Sequence, residues 1–249
     1  MDQRDGSDGA SALNVVVVHG GMDRASSFGR VARCLPEFPL VRYDRRGYGR
    51  SIDAGVVPIE GHVDDLLSII GQDQVVLFGH SMGAVVALMA AERRPDLVRS
   101  VLAYETPLPW ESWWPKPAGG VVEPRSAADD AERFMRRMVG DRIWDRLPAQ
   151  SRADRRAEGE ALRADLRSLG TDRPLFDPAS LVMPILSAAG AGTTWWHLRA
   201  SKELALSVLD GELVVVAGAS HGAHLSHPGP TADLVRQAYG RVVSGPRSR

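Results

Sequence analysis

Ser81 is the residue of this chain best placed for covalent chemistry. It stands at the centre of Gly79-His80-Ser81-Met82-Gly83, between the apolar run Val75-Val76-Leu77-Phe78 and the apolar stretch that starts at Ala84. A strand that turns sharply into a helix forces its pivot residue into a strained backbone conformation, and glycines two residues to either side avoid the collisions that result. The pivot hydroxyl is then displayed at the carboxyl edge of a sheet, at the positive end of a helix. Gly-x-Ser-x-Gly also arises by chance in glycine-rich chains, so the strand before it and the helix after it carry the assignment. Such a hydroxyl attacks a carbonyl carbon only when a base takes its proton.

Seven histidines are available as that base. His19 ends an apolar run and reads as a buried structural residue. His80 sits inside the turn and points away from its neighbour's side. His62 and His197 read as surface residues or as residues facing an insertion, and His227, just before Pro228, reads as a helix start. The stretch Val214-Val215-Val216-Ala217-Gly218-Ala219-Ser220-His221 is a strand followed by a loop of small residues that presents one histidine at the sheet's carboxyl edge. His221 is therefore the predicted base, with His224 a distant second.

The elements that must position these residues alternate along the chain. Apolar, β-branched runs predict strands at residues 13–18, 39–43, 75–78, 98–104, 183–189 and 212–216. Helical spacing predicts helices at 24–35, 58–71, 81–93, 198–209 and 231–243. Pro58 opens the second of these, where its missing N–H costs least. Such alternation argues for an open, mostly parallel sheet of about six strands with helices on both faces. The interval 106–177 breaks the rhythm: a Trp- and Pro-rich loop precedes helical stretches near 126–139, 142–147 and 153–169. It reads as an inserted helical lid, leaving 13–105 and 178–245 as the core and 1–12 and 246–249 as flexible tails. The Arg136-Arg137 and Arg152–Arg156 patches interleave with Asp and Glu and read as solvated helix faces.

Composition bounds the rest. The chain has 249 residues, 44% of them hydrophobic and 24% charged, which suits a soluble globular protein with one domain and an insertion. A formal net charge of −1 argues against a nucleic-acid partner. Cys34, the single cysteine, excludes an intrachain disulfide and a cysteine-based metal cluster, and fits a helix or core position in a reducing compartment. Residues 1–12 do not read as a secretion signal, and no apolar run approaches the ~20 residues that span a bilayer. A cytoplasmic protein is expected, acting on a small molecule, with no membrane partner, no metal and no cofactor.

Four stretches in order carry a resemblance: His19-Gly20-Gly21, Asp44-Arg45-Arg46-Gly47-Tyr48-Gly49-Arg50-Ser51, Gly79-His80-Ser81-Met82-Gly83 and Gly218-Ala219-Ser220-His221 with Pro228 beyond it. Together they make the chain similar to the α/β-hydrolase superfamily from Leu13 onward. That resemblance implies Ser81 as nucleophile, His221 as base, an oxyanion hole from the backbone N–H groups of Gly21 and Met82, and a structural role for the Asp44 loop. The chain departs from the family pattern twice. No room remains before Leu13 for the usual opening antiparallel hairpin. The loop after the fifth strand, where most members carry the triad aspartate, reads Ala189-Gly190-Ala191-Gly192-Thr193-Thr194, with Thr193 at the expected position. Some members, including haloalkane dehalogenases of one type, place the acid one strand earlier. That strand tip reads Leu102-Ala103-Tyr104-Glu105-Thr106-Pro107 here, so Glu105 is the predicted acid. Its competing role is a strand cap, and Asp177 and Asp210 are rivals on the wrong edge. Serine at the nucleophile position excludes dehalogenase chemistry, which needs aspartate there.

Trp110, Trp113, Trp114, Trp195 and Trp196, together with Met22, are expected near the mouth, where they either form an apolar pocket or fasten the lid to the sheet. The expected activity is hydrolysis of a small to medium apolar carboxylic ester or lactone through an acyl-enzyme. Amide or thioester cleavage and acyl transfer or cyclisation use the same machinery, and a slow-turnover ligand receptor is the alternative of another class.

Overall fold

The computed structural model describes residues 13–116 and 126–244; both terminal tails assigned above lie outside them. Their six strands are β1 (Asn14–Val18), β2 (Leu40–Arg42), β3 (Val75–His80), β4 (Val98–Tyr104), β5 (Ile185–Gly190) and β6 (Gly211–Val216). All pairings are parallel and the spatial order is β2-β1-β3-β4-β5-β6. After β1 the chain winds outward to β2, then returns to place β3 on β1's other side. The connections therefore leave in opposite directions between β1 and β3, and a crevice opens above their carboxyl ends. His19-Gly20-Gly21 follows β1 and Ser81 follows β3, so topology alone puts both at that crevice.

The sheet separates two cores. One face packs against α2 (Ile59–Ile70), α3 (Met82–Arg93) and α8 (Trp195–Ser207) through Val16, Leu66, Leu77, Val85, Leu88 and Leu204. The other packs against the short α1 (Gly29–Arg33) and the long α10 (Pro228–Ser244) through Val15, Phe28, Val76, Phe78, Leu102 and Val235. Helix α3 is buried from Met82 to Ala91, as expected of a helix that is apolar all round and central. The run of residues 24–35 resolves into a 3-10 turn, Ala25–Phe28, followed by α1.

Between β4 and β5 lie α4 (Ala127–Val139), α5 (Asp141–Arg146), α6 (Ala149–Ala157) and α7 (Gly159–Leu169). The single helix read over 153–169 is two helices broken at Glu158. They enclose a core of their own from Ala131, Met135, Trp144, Ala161 and Leu162, which also takes in Met22 and Tyr48. Among the described residues no helix is long and apolar enough to cross a membrane.

Candidate active site

Ser81 occupies φ 53°, ψ −125°, a conformation that costs a non-glycine residue of order 1–3 kcal/mol. Two close approaches over-determine it. A Cβ on Gly79 would lie 2.4 Å from Ala84 Cα, and one on Gly83 would lie 2.1 Å from the Val18 carbonyl oxygen. Only glycine lets α3 rise so steeply from β3 and pass so near β1. The Ser81 N–H donates to Tyr104 O at 2.8 Å, tying the turn to the end of β4. The Gly21 and Met82 N–H groups donate to no other described residue, and neither does the Ser81 hydroxyl. Hydrogen bonds of this last kind commonly tighten only when substrate is bound.

Glu105 follows β4 at φ 49°, fully buried, and turns its carboxylate under the loop after β6. His221 Nδ1 lies 2.6 Å from Glu105 Oε2. Oε2 also accepts from Thr193 Oγ1 at 2.8 Å, while Oε1 accepts from the Gly190 N–H at 3.0 Å. Burial pushes this carboxyl up, but the hydrogen bond and charge of His221, with the Gly190 and Thr193 donors, outweigh it and hold the group below its ordinary range. Thr193, at the position the aspartate usually fills, thus donates to the carboxylate that arrives from the neighbouring strand. The base loop is fixed from beneath: Tyr104 Oη donates to Ser220 O at 2.9 Å, and His80 Nε2 donates to His221 O at 2.8 Å.

The loop after β1 is clamped from both sides. Arg45 donates from Nε to His19 O at 3.0 Å and from Nη2 to Gly20 O at 3.1 Å, and its N–H donates to His19 Nε2 at 2.8 Å. That last bond leaves the His19 proton on Nδ1, which donates to Gly20 O at 2.7 Å. Burial, then the Arg45 charge, lowers the His19 pKa to about 4. Arg45 is itself held by a bidentate contact to Asp165 on α7, at 2.7 and 3.1 Å, which also accepts from Tyr48 Oη at 2.7 Å. Arg155 on α6 caps Met22 O at 3.0 Å, and the buried Glu158 accepts from Arg24 at 2.8 Å and from the Gly49 N–H at 2.9 Å. In the Asp44 loop, Asp44 accepts from the Ala25 and Arg50 N–H groups at 2.7 and 3.0 Å.

Four motifs in order on a parallel sheet of this topology are matched by the comparison of sequences. The sequence profile of the alpha/beta hydrolase family covers residues 15–234. The chain belongs to the alpha/beta hydrolase family. Among curated proteins it is 35% identical over 103 residues to the lipase LipV of Mycobacterium tuberculosis, a match spanning 40% of this chain and 39% of that protein. It is 25% identical over 246 residues to a pimeloyl-[acyl-carrier protein] methyl ester esterase of Yersinia pseudotuberculosis, spanning 91% and 93% of the two chains. Among solved structures it superposes on a thermophilic esterase from Thermogutta terrifontis with a TM-score of 0.67 at 20% identity, over 93% of this chain and 90% of that one.

Within this alpha/beta hydrolase the predicted site residues divide into two groups. Ser81, His221, Glu105, Gly21 and Met82 all lie at the carboxyl ends of β1, β3, β4 and β6. Trp113, Trp114, Trp195 and Trp196 form a continuous aromatic surface that reaches His221 through His197. Trp113 lies 6.0 Å from Trp114 and 6.5 Å from Trp195, ring centroid to centroid, and Trp196 lies 6.1 Å from His197. Trp195 and Trp196 are in the first turn of α8 rather than in the loop before it. Two expectations need correction. Met22 is buried in the insertion's own core, because its left-handed φ of 56° turns it away from the crevice toward α4 and α7. Trp110 packs edge-on against Phe176, 5.7 Å away, and lines a cleft with Leu108, Glu203 and Leu204 in which Ser81, Glu105 and His221 have no part.

Two histidines read in the sequence as surface or insertion-facing residues. His62 takes the second place: it is buried and faces Asp165 of the insertion across 3.4 Å. His197 stacks on His221, with ring centroids 4.8 Å apart and planes at 26°, and hydrogen-bonds Thr194 Oγ1 through Nδ1 at 2.9 Å. Burial, then the neighbouring His221, lowers its pKa to about 4, so it lies against His221 as a neutral ring. No local pattern announces that contact, which depends on where α8 begins.

Proposed function

We propose that this chain is a serine hydrolase of carboxylic esters. Ser81 attacks the ester carbonyl while His221 Nε2 takes its proton, and the same histidine then protonates the leaving alcohol. Water activated by His221 releases the acid from the acyl-enzyme. Glu105 holds His221 in the tautomer that leaves Nε2 free to accept, and its charge stabilises the imidazolium that forms. The unpaired N–H groups of Gly21 and Met82 serve the negative oxygen that develops during attack, where one such donor is worth about 3–4 kcal/mol. The observation that carries this reading is the 2.6 Å contact from His221 Nδ1 to the buried Glu105 carboxylate, at the sheet edge where Ser81 is held under strain.

The substrate class follows from the walls. Trp113, Trp114, Trp195 and Trp196 offer apolar faces with few hydrogen-bonding atoms, which suits a small to medium apolar acyl or alcohol group. The esterase and lipase names among the relatives support ester over amide. The insertion acts as a lid over this mouth. Treatment with a fluorophosphonate probe tests the reading directly: the wild-type protein is labelled at Ser81, Ser81→Ala is not, and a panel of short-chain and aromatic esters is turned over only by the labelled form. A wild-type protein that is neither labelled nor active on any ester overturns it.

A further inference from the structure

Behind the base lies a second cluster that ester hydrolysis does not use. Asp23 follows the β1 loop, His80 ends β3 just before Ser81 (the strand-to-helix elbow), and His224 lies in the short helix α9 (Ala223–Ser226). Asp23 Oδ2 lies 3.2 Å from His224 Nε2 and 3.9 Å from His80 Nδ1, and one ligand atom of each residue lies within 4.8 Å of the other two. His80 is 5% and His224 3% exposed. Asp23 Oδ2, His80 Nδ1 and both ring nitrogens of His224 nevertheless lack a hydrogen bond of ordinary geometry. So many buried polar atoms without partners, one from each residue converging on one point, is a costly arrangement that calls for an explanation.

The protonation pattern sharpens it. His80 Nε2 must carry a proton, because the His221 carbonyl it contacts can only accept. With that proton on Nε2, Nδ1 is free to present a lone pair toward Asp23 Oδ2, 3.9 Å away. The other oxygen of Asp23 accepts from the Arg24 N–H at 2.8 Å. A cation seated between the carboxylate oxygen and that lone pair would satisfy both.

We propose that Asp23 Oδ2, His80 Nδ1 and His224 Nε2 bind a first-row divalent cation of the zinc type. A tetrahedral zinc with bonds of ~2.0–2.1 Å sets its ligand atoms about 3.3 Å apart; the 3.2 Å separation matches, while the 3.9 Å one and the third, within 4.8 Å, would each have to draw in. Two imidazoles and one carboxylate are a borderline donor set that suits such ions and leaves a fourth position for water. The outer hydrogen bond is also in place. A metal-bound imidazole almost always donates its other N–H to a carbonyl or carboxylate, and that of His80 goes to His221 O. The ion would join the β1 loop, the elbow and α9 through three side chains, and it would brace the main chain of the catalytic base.

The test uses tag-free protein stripped with a chelator, titrated with Zn²⁺ by calorimetry and with Co²⁺ by absorption. One equivalent binds, and bound metal raises Tm. Asp23→Asn and His224→Gln each weaken binding by more than the roughly 10–100-fold that loss of an outer hydrogen-bonding partner costs. His224→Cys retains binding and adds a thiolate-to-cobalt charge-transfer band, a gain of signal that an unfolded variant does not give. His197→Gln leaves binding unchanged, which separates this cluster from the neighbouring Glu105, His197 and His221. No saturable binding by the wild-type protein overturns the proposal, as does binding lost in His197→Gln but kept in His224→Gln. Neither outcome depends on esterase activity.

Discussion

Replacing Glu105 by glutamine changes one atom and forces a choice of tautomer. The carboxylate accepts from three donors: the Gly190 N–H on Oε1, and His221 Nδ1 and the Thr193 hydroxyl on Oε2. The hydroxyl rotates to donate or accept, so Gly190 and His221 decide how the amide sits. With the amide oxygen toward His221, its NH2 meets the Gly190 N–H in a buried site, a conflict of ~1–3 kcal/mol. The favoured orientation puts oxygen on Gly190 and NH2 on His221. Nδ1 must then accept, the proton moves to Nε2, and the base can no longer take one from Ser81. The charge that stabilises the imidazolium is lost too. The loss expected is that of an aspartate-to-asparagine change in a serine triad, ~10⁴ in kcat, or about 5.5 kcal/mol of barrier. Initial rates on a p-nitrophenyl ester measure it, with KM and Tm nearly unchanged because shape and volume are kept. Adding Thr193→Asp to Glu105→Gln returns a carboxylate beside His221 and recovers part of the rate. A fall in kcat smaller than the ~100-fold that a positioned base ordinarily supplies would refute the role given to Glu105.

Other outcomes follow from the clamp on the β1 loop and from the buried histidines. Asp165→Ala strands Arg45, whose side chain is fully buried, and should destabilise the fold by ~3–5 kcal/mol in urea melts. Its kcat should fall as well, because Arg45 holds the His19 and Gly20 carbonyls; a loss under ~1 kcal/mol would mean the pair is not buried as described. His19 and His197 each have folded pKa values of about 4, below the ordinary 6.5, so the unfolded chain binds more protons than the folded one between those values. Stability is therefore fully present above pH ~6.5 and falls with acidification toward pH ~4, by up to ~3 kcal/mol for His19 alone. Denaturant melts at pH 7.5, 6 and 5 check this, and a flat profile there contradicts buried neutral rings at both positions. The depressed carboxyls of Asp165, Asp23 and Glu105 act at lower pH, where their stabilisation is lost as they protonate.

What the sequence announces is what a few neighbouring residues determine. The parallel strands are legible because burial on both faces requires unbroken apolar runs, and the elbow because Gly79 and Gly83 are demanded by contacts within one turn. The contact of Glu105 with His221 is legible only through a vacancy: nothing about a lone Glu after Tyr104 marks it until Thr193 is found at the usual acid position. The Arg45–Asp165 pair spans 120 residues of chain and joins two charged residues that look like many others in this sequence. Met22 and Trp110 were misplaced for a related reason. An apolar side chain near a functional loop has two cores open to it, and here the choice is made by a left-handed φ at Met22 and by Phe176 beside Trp110. The cluster of Asp23, His80 and His224 is assembled from three separate loops, and no spacing rule connects them.

Moving the acid from β5 to β4 alters how the site is held together. On β5 it would be two strands from the elbow. On β4 it follows the strand directly paired with β3, and the backbone bond from Ser81 N to Tyr104 O joins the nucleophile to the residue before Glu105. The Glu105 N–H donates in turn to Ala188 O on β5 at 2.8 Å, so the ladder continues past the acid on its other side. Ser81 and Glu105, the proposed nucleophile and acid, are thus positioned by consecutive rungs of one sheet, with the Glu105 side chain covering the remaining distance to His221. The insertion also begins immediately after Glu105. Its far end returns through α7, where Asp165 grips Arg45 and, through it, the Gly20 carbonyl. The insertion is therefore tied at one end to Glu105 and at the other, through Arg45, to the loop that carries Gly20 and Gly21.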